Sequence, residues 1–371
     1  MKLVIHVGPP KTGTTALQRA LYGARHRLLA HQILYPEPGR RKRHNHGELC
    51  YTFLPFDQAP RGMKKYSERD YIQSGKALMR EIEHQIESHK PDLLVLSSEW
   101  FARLYKAKDS GKFMAYLEAL SPKNIEFVLY ARRPSEFFLS SSQQRLRAAS
   151  LFEPIYPWNF DVLVDGLKDI VGQYPVTVRL FDRKSMIGGS IVSDFAALYF
   201  PRLAEELKAL ETKRPANESF SAETMVLLQK FRRAFYPHEE DVFNERTRKL
   251  LRRLQKIDAK DGNPRPKLRS TWKDYLDYGH SGALDLRDKH GVSFPDFDYA
   301  RLERQDFATK PDANADVANI IVVDQERLNR QIDALSRSLW AIRPSNSKWL
   351  RDVRRCLKED RGQLRRHLSE C

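Results

Sequence analysis

The opening of the chain restricts its fold more than any other segment. The apolar run Leu3–Val7 is followed by a loop of Gly, Pro, Lys and Thr residues, and a helical pattern starts directly after the loop. This order predicts a strand, a phosphate-binding loop and a helix. Backbone N–H groups in such a loop, with a helix N-terminus behind them, attract an anion. The sequence therefore predicts an anion site here, and the alternative is an ordinary strand-to-helix turn.

The order of residues inside this loop indicates which kind of anion it binds. In the loop of nucleotide triphosphatases, a Lys follows the last Gly and the next hydroxyl binds magnesium. Here Lys11 precedes Gly13, and Thr14 and Thr15 follow it. Gly13 lets the backbone approach a ligand, Lys11 supplies a mobile positive charge, and the two threonines offer hydroxyl and N–H donors. Because the magnesium-binding pair is missing, we expect an anion site without a metal.

A second segment, far along the chain, carries another anion-binding pattern. Residues 125–131 form a predicted buried strand, and a helix is predicted to begin near Pro134. A guanidinium fork binds a dianionic phosphate well, and Arg132 or its competitor Arg133 would supply one here. Two cations at a helix start oppose the helix dipole, which favours a bound anion there over two surface arginines.

Both segments resemble one family of enzymes. The loop reads Pro10-Lys11-Thr12-Gly13-Thr14-Thr15, and the second segment has Arg132, Pro134, Glu136 and Ser140. These residues resemble the phosphosulfate loop and the 3′-phosphate motif of sulfotransferases that use 3′-phosphoadenosine 5′-phosphosulfate (PAPS), in particular bacterial carbohydrate sulfotransferases. A weaker match at 176–183 and 192–198 looks like scaffold, so the resemblance covers roughly the first 200 residues.

The resemblance implies a fold, a donor and an activity. The expected fold is α/β and P-loop-like, with three layers around a central parallel sheet. The expected donor is PAPS, no metal is needed, and the nucleotide is held by the loop together with Arg132 and Ser140. The expected reaction moves a sulfuryl group to a hydroxyl of a glycan, either anionic or neutral. The alternatives are a nucleotide-dependent phosphotransferase or hydrolase, and an anion-binding protein without catalysis.

Sulfuryl transfer to a hydroxyl needs a base beside the acceptor. Glu99 directly follows the predicted buried strand 92–97, which places it at the same sheet edge as the loop. In some glycan sulfotransferases of this superfamily the base is a Glu and in others it is a His. We predict Glu99 as the base, with Trp100 and Phe101 packing beside it to make it more basic. The alternative is a helix-start Glu that a preceding serine caps.

His46 is the second candidate for the base. It lies in His44-Asn45-His46-Gly47-Glu48, after the basic run 40–43, and would line the acceptor pocket. An unperturbed imidazole titrates near neutrality, although a lone His is more often structural. His6, on the first strand, is predicted to be a packed residue.

Composition narrows the partners and the compartment. The formal net charge of +16 exceeds what a nucleotide pocket needs, so the surplus favours an anionic partner, or else a solvated basic surface. We rank carbohydrate above nucleic acid because no nucleic-acid fold signature accompanies the charge. The three cysteines, Cys50, Cys356 and Cys371, are odd in number and distant, which is typical of a reducing compartment. We find no apolar run long enough for a membrane span and no leader, and expect a cytoplasmic protein.

The chain is predicted to have two regions. Residues 1–206 form the PAPS-binding core, and residues 207–371 form a mainly helical region that packs on the core and contributes to the acceptor site. Ser219 or Ser221 is predicted to cap a helix, residues 280–312 are predicted to be irregular, and residues 329–339 are predicted to be helical. An apolar stripe over 350–368 predicts a basic terminal helix that docks on its own domain, with a helix that contacts a membrane surface or a partner as the alternative.

Overall fold

The computed structural model describes residues 1–39, 44–59, 63–64, 66–106, 110–151, 159–212, 219–312 and 316–340. The basic run 40–43 and the predicted terminal helix over 350–368 lie outside these residues. The strands are β1 (Lys2–Val7), β2 (Ile33–Leu34), β3 (Leu93–Ser98), β4 (Asn124–Ala131), β5 (Val176–Leu180), β6 (Lys267–Leu268) and β7 (Ile321–Val322). The helices are α1 (Thr14–Ala30), α2 (Glu68–His89), α3 (Ser110–Ala119), α4 (Pro134–Leu146), α5 (Phe160–Val171), α6 (Ile191–Tyr199), α7 (Ala204–Thr212), α8 (Ala222–Phe235), α9 (Glu245–Lys260), α10 (Ser270–Tyr278), α11 (Gly282–His290), α12 (Tyr299–Glu303), α13 (Val317–Ile320) and α14 (Gln325–Trp340).

Five of these strands form one parallel sheet in the order β2-β3-β1-β4-β5. Apart from the half-buried edge strand β5, the strands are short and largely buried along both faces, which is the pattern of a sheet covered by helices on each side. Val7 lies opposite Ser98 on one neighbour and opposite Leu129 on the other. The carboxyl ends of β3, β1 and β4 therefore meet at one edge, with β1 in the centre. The predicted α/β fold with a central parallel sheet and a mainly helical C-terminal region is confirmed.

Helix α1 packs on the sheet with the face that its leucines form. Leu17, Leu21 and Leu28 are buried against Val4 of β1 and Phe195 of α6. This packing fixes the direction of α1, so that its N-terminus follows the carboxyl end of β1. None of the described helices combines the length and the apolar character needed to cross a bilayer.

The chain divides into two compact units, which differ from the predicted split at residue 206. The first comprises Met1–Arg133, Asn159–Ala216 and His280–Asp306, and the second comprises Pro134–Trp158, Asn217–Gly279 and Phe307–Cys371. The parallel sheet belongs to the first unit. The chain leaves that unit directly after Arg133 and returns to it twice, which a single boundary drawn from composition does not capture.

The second unit has its own apolar core. Helices α8, α9 and α14 supply Leu228, Leu254 and Leu335, with Trp272 from α10. Ser221 caps α8 by accepting a hydrogen bond from the Thr224 N–H at 3.1 Å, so the prediction of Ser221 as the cap is confirmed.

The segment 280–312, predicted to be irregular, contains helices α11 and α12, and the prediction is wrong for the residues of those two helices. The polar and glycine residues that suggested a loop serve as helix caps. Gly291 ends α11 in a left-handed conformation, with φ at 67°, and Asp298 begins α12 by accepting from the Arg301 N–H at 3.1 Å.

Candidate functional site

The loop between β1 and α1 has an unusual backbone. Lys11 and Gly13 are both left-handed, with φ of 65° and 75°. Gly8 begins the loop, and its N–H donates to the Ser98 carbonyl of β3 at 3.0 Å. A Cβ on Gly8 would lie 2.5 Å from the Thr14 side chain, so the loop folds back closely on the end of β1. We call residues 8–15 the donor loop.

Two threonine hydroxyls hold the donor loop in this shape. Thr12 is fully buried, and its hydroxyl donates to the Pro9 carbonyl at 2.7 Å. The Thr14 hydroxyl donates to the same carbonyl at 3.3 Å. The Thr14 hydroxyl, predicted as a donor to the ligand, therefore points its hydrogen into the loop, whereas Thr15 is partly exposed on the first turn of α1.

The backbone N–H groups of the donor loop do not form such internal hydrogen bonds. Among the described residues, no group accepts a hydrogen bond from the N–H of Thr12, Gly13, Thr14 or Thr15. Helix α1 has no side-chain cap and no acidic residue in its first turn. The loop therefore offers several N–H groups and the positive end of a helix dipole to an anion.

Arg132 contacts the donor loop. Its Nη1 donates to the Lys11 carbonyl at 2.9 Å, and its guanidinium lies 5.4 Å from the centre of the Phe181 ring. Phe181 in turn packs against the loop, because a Cβ on Gly13 would lie 2.7 Å from its ring. The structure therefore brings the loop and Arg132, two predicted cofactor-binding elements, to one place.

Arg133, the competing arginine, makes different contacts. Its guanidinium lies 5.0 Å from the Phe297 ring centre, and its Nη1 reaches the Pro295 carbonyl at 3.5 Å. These contacts favour Arg132 over Arg133 as the arginine of the anion site.

Ser140 is half-buried on α4, which belongs to the second unit. Its pairing with Arg132 stays a prediction. A carboxylate of the protein itself lies at the N-terminus of α4, because the Ser135 N–H donates to Asp277 Oδ1 at 3.0 Å. The helix dipole of α4 is thereby compensated within the second unit.

Glu99 lies at the predicted edge of the sheet. It follows Ser98, whose carbonyl accepts from Gly8, so it begins beside the donor loop. Its side chain is exposed, and it is therefore not enclosed by Trp100 and Phe101 as predicted. The Ser98 hydroxyl accepts from the Trp100 N–H at 3.0 Å, which makes Ser98 the cap of the short 3-10 helix Trp100–Lys106. The structure therefore contains a serine cap, which was the alternative to a catalytic role for this segment. The carboxylate of Glu99, next to that cap, is exposed.

His46 is fully buried, and backbone groups use both of its ring nitrogens. Nδ1 accepts from the Ser97 N–H at 3.0 Å, so Nε2 carries the proton and donates to the Pro36 carbonyl at 3.0 Å. Burial lowers the pKa of His46 to about 4, against the opposing effect of the hydrogen bond to the Pro36 carbonyl. The geometry favours a structural role, in which His46 ties the segment after β2 to the end of β3. We call His46, Ser97, His6 and Gln18 the His46 corner.

The Ser97 hydroxyl, Nδ1 of His6 and Nε2 of Gln18 are also bonded within the His46 corner, whereas Nε2 of His6 is buried without a partner among the described residues. The Ser97 hydroxyl bonds to His6 Nδ1 at 2.7 Å and accepts from Gln18 Nε2 at 3.1 Å. Burial lowers the pKa of His6 to about 3, in agreement with its predicted role as a packed residue. Glu48, from the same predicted cluster as His46, is buried and accepts from the Ser74 hydroxyl at 2.5 Å.

Two features of the site were missed from sequence. Phe181 is the first residue after β5. It could have been predicted to lie at the site, because ligands bind at the carboxyl edge of a parallel sheet. Asp194 is fully buried and accepts from Arg179 at 2.5 and 2.6 Å and from the Tyr130 hydroxyl at 2.8 Å, which ties α6 to β5 and β4. The same helix places Ile191 against Gly13. In the described part of the chain, no group of three or more His, Cys, Asp or Glu residues is arranged to hold a metal ion.

Compared with protein-family models, with curated proteins and with solved structures, the chain gives no match. The resemblance to PAPS-dependent sulfotransferases therefore rests on the two sequence motifs alone.

Proposed function

We propose that this chain transfers the sulfuryl group of PAPS to a hydroxyl of a carbohydrate acceptor. The observation that carries the proposal is the 2.9 Å hydrogen bond from Arg132 to the Lys11 carbonyl. It joins two motifs that lie 121 positions apart in the sequence. A nucleotide with anionic groups at both its 5′ and 3′ positions is the ligand that would engage both motifs together.

The donor loop would bind the phosphosulfate end of the nucleotide. The N–H groups of Thr12–Thr15 make no internal hydrogen bonds among the described residues, and so they would donate to the phosphosulfate oxygens. Lys11 would neutralise the charge that develops on the bridging oxygen as the leaving phosphate departs. Arg132 would bind the 3′-phosphate.

The transfer would be a direct in-line displacement. Glu99 would take the proton from the acceptor hydroxyl, and the hydroxyl oxygen would form a bond to sulfur while the bond from sulfur to the phosphate oxygen breaks. The products are the sulfate ester, adenosine 3′,5′-bisphosphate and a protonated Glu99. We prefer Glu99 to His46 as the base, because Glu99 is exposed beside the loop whereas both ring nitrogens of His46 are bonded to the backbone.

Calorimetry with adenosine 3′,5′-bisphosphate and with AMP tests the proposed nucleotide. We expect loss of the 3′-phosphate to weaken binding by about 30-fold in the wild type, because a charge-assisted contact is worth roughly 2 kcal/mol. In Arg132→Ala the two ligands should differ by less than about threefold. The neighbouring Arg133→Ala is the matched control and should keep the wild-type preference. Equal affinities in the wild type would refute the proposed site.

Activity with a panel of glycan acceptors tests the base. We expect Glu99→Gln to lower kcat by about 100-fold or more, as removal of a general base does, with nucleotide affinity unchanged. Nucleotide binding without turnover on any acceptor, indifferent to Glu99→Gln, would identify an anion-binding protein instead. Magnesium-dependent turnover of ATP without binding of the bisphosphate would identify a phosphotransferase or hydrolase.

A further inference from the structure

Helix α9 of the second unit carries a row of cations along one face. Arg246, Lys249, Arg253, Lys256 and Lys260 follow one another at alternating intervals of three and four residues. Residues at these intervals lie on one face of a helix, so the row is straight and spans about 21 Å. We call these five residues the basic stripe.

The basic stripe faces away from the core of the second unit. The buried side of α9 consists of Thr247, Leu250, Leu251 and Leu254, with Asp258 one turn further on. Arg246, Lys249, Lys256 and Lys260 are exposed, and Arg253 is half-buried. In the part of the chain that the structure describes, those four exposed cations form no ion pair.

A second row of cations on the same helix provides a contrast. Arg248 and Arg252 are also exposed, but both pair with Glu245, at 3.1 and 2.9 Å. The charges of Arg248 and Arg252 are therefore compensated within the helix, whereas the four exposed cations of the basic stripe form no ion pair among the described residues. Like charges at these spacings destabilise a helix, and the cations in its first turn also oppose its dipole. A partner with a row of negative charges would relieve both effects.

We infer that the basic stripe is a docking surface for a linear anionic polysaccharide. A single line of cations at regular spacing matches a single line of negative charges along a flexible chain. That this polysaccharide is also the acceptor class rests on the proposed function. The docking itself goes beyond it, because it uses a surface of the second unit that the proposed reaction does not require.

Other polyanions fit the basic stripe less well. The major groove of duplex DNA has phosphates on both sides of an inserted helix. Here the cations on the other flank of α9, Arg248 and Arg252, are paired with Glu245, so they are less able to bind a second row of phosphates. Single-stranded nucleic acid is usually bound with aromatic residues for base stacking, and α9 contains none. A membrane surface requires exposed apolar residues beside the cations, whereas the leucines of α9 face the core.

Binding of the full chain to immobilised heparin, measured over a range of NaCl concentrations and without nucleotide, tests this inference. We expect Lys249→Gln/Lys256→Gln to raise Kd by about tenfold or more and to reduce the salt dependence by about two released ions. The matched control, Arg248→Gln/Arg252→Gln, removes the same charge from the same helix. It should raise Kd by less than about threefold, because those cations are paired already.

Two outcomes would overturn the inference. Equal effects of the two double variants would show that only net charge attracts heparin. Competition by single-stranded or duplex DNA, or by phosphatidylserine vesicles, that exceeds competition by soluble heparin would assign the stripe to another polyanion. Vesicles are included because Phe243, just before α9, is half-exposed. Heparin binding through the stripe in a chain that does not bind adenosine 3′,5′-bisphosphate would refute the proposed function and leave the docking surface intact.

Discussion

The donor loop and the His46 corner lie at the ends of neighbouring strands, yet they use their polar groups in opposite ways. In the His46 corner, both ring nitrogens of His46 and the hydroxyl of Ser97 are bonded to protein groups. In the donor loop the hydroxyls of Thr12 and Thr14 are bonded to Pro9, but the backbone N–H groups of residues 12–15 are not bonded within the described chain. The residue types alone would rank the histidine above a backbone amide as a functional group.

From this difference we infer that the unbonded N–H groups of the donor loop are better candidates for ligand binding than the bonded ring nitrogens of His46. A buried polar group that already has its partners holds a structure together, and a ligand can gain nothing from it. Polar groups without partners are costly unless water or a ligand satisfies them. We therefore expect substitutions in the donor loop to change ligand binding, and substitutions in the His46 corner to change stability.

Gly13→Ala should have the largest effect. The new Cβ would lie 2.7 Å from the Phe181 ring and 2.9 Å from Ile191, at a left-handed φ of 75°. Overpacking and the backbone conformation together predict a loss of about 2–4 kcal/mol in the free energy of unfolding. Calorimetry should show the affinity for adenosine 3′,5′-bisphosphate falling by about 100-fold or more.

Gly291→Ala is the matched control for that experiment. Gly291 is left-handed like Gly13, with a φ of 67°, and nothing lies within 4 Å of its added Cβ. Its free energy of unfolding should fall only by the cost of the left-handed backbone, about 1 kcal/mol, and its nucleotide affinity should not change. Similar losses of affinity in both variants would contradict the role of close packing around Gly13.

The His46 corner should make the protein sensitive to acid. Burial lowers the pKa of His46 to about 4, below the value near 6.5 of an unfolded chain. The unfolded state then binds the proton more tightly, so stability is complete above pH 6.5 and falls as the pH decreases toward 4, by at most about 3 kcal/mol for this group. Urea unfolding of the wild type and His46→Asn across this range measures the contribution.

The same variant separates a structural role from a catalytic one. His46→Asn leaves the Pro36 carbonyl without its donor and should cost about 1–3 kcal/mol at pH 7, with a smaller difference near pH 5. Its kcat at 20 °C or below, where it stays folded, should remain within about tenfold of the wild type. A loss of kcat as large as that of Glu99→Gln would instead make His46 the base.

Thr12→Val should have the smallest effect. It removes the hydroxyl that donates to the Pro9 carbonyl at 2.7 Å, while Thr14 still donates to that carbonyl. We expect a loss of about 1 kcal/mol in stability and only a small change in nucleotide affinity, as measured by urea unfolding and calorimetry. A large loss of affinity without a loss of stability would mean that this hydroxyl contacts the ligand.

Sequence patterns predicted the sheet and the donor loop well because both depend on local signals. The strand predicted over 92–97 is β3 at Leu93–Ser98, and the helix predicted from Pro134 begins there. The loop could be predicted because its sequence contains Gly13. In the structure this glycine has a left-handed conformation and lies in close contact with other side chains, so a glycine is needed there.

The parts that sequence did not predict depend on contacts between distant residues. Phe181 joins the loop only through the pairing of β5 with β4, and His46 is made structural by residues 36 and 97. Nothing local distinguishes a histidine bonded in this way from a free one. The segment after residue 280 was misread because glycine and aspartate mark helix ends as well as loops.

Amide NMR of the chain labelled with ¹⁵N-threonine tests most directly whether the N–H groups of the donor loop bind the nucleotide. On titration with adenosine 3′,5′-bisphosphate, the account predicts large shifts for Thr14 and Thr15, whose N–H groups have no partner in the described structure. Thr224, whose N–H is bonded to Ser221, should not shift. Saturable binding of the bisphosphate that leaves the Thr14 and Thr15 signals in place would contradict the account.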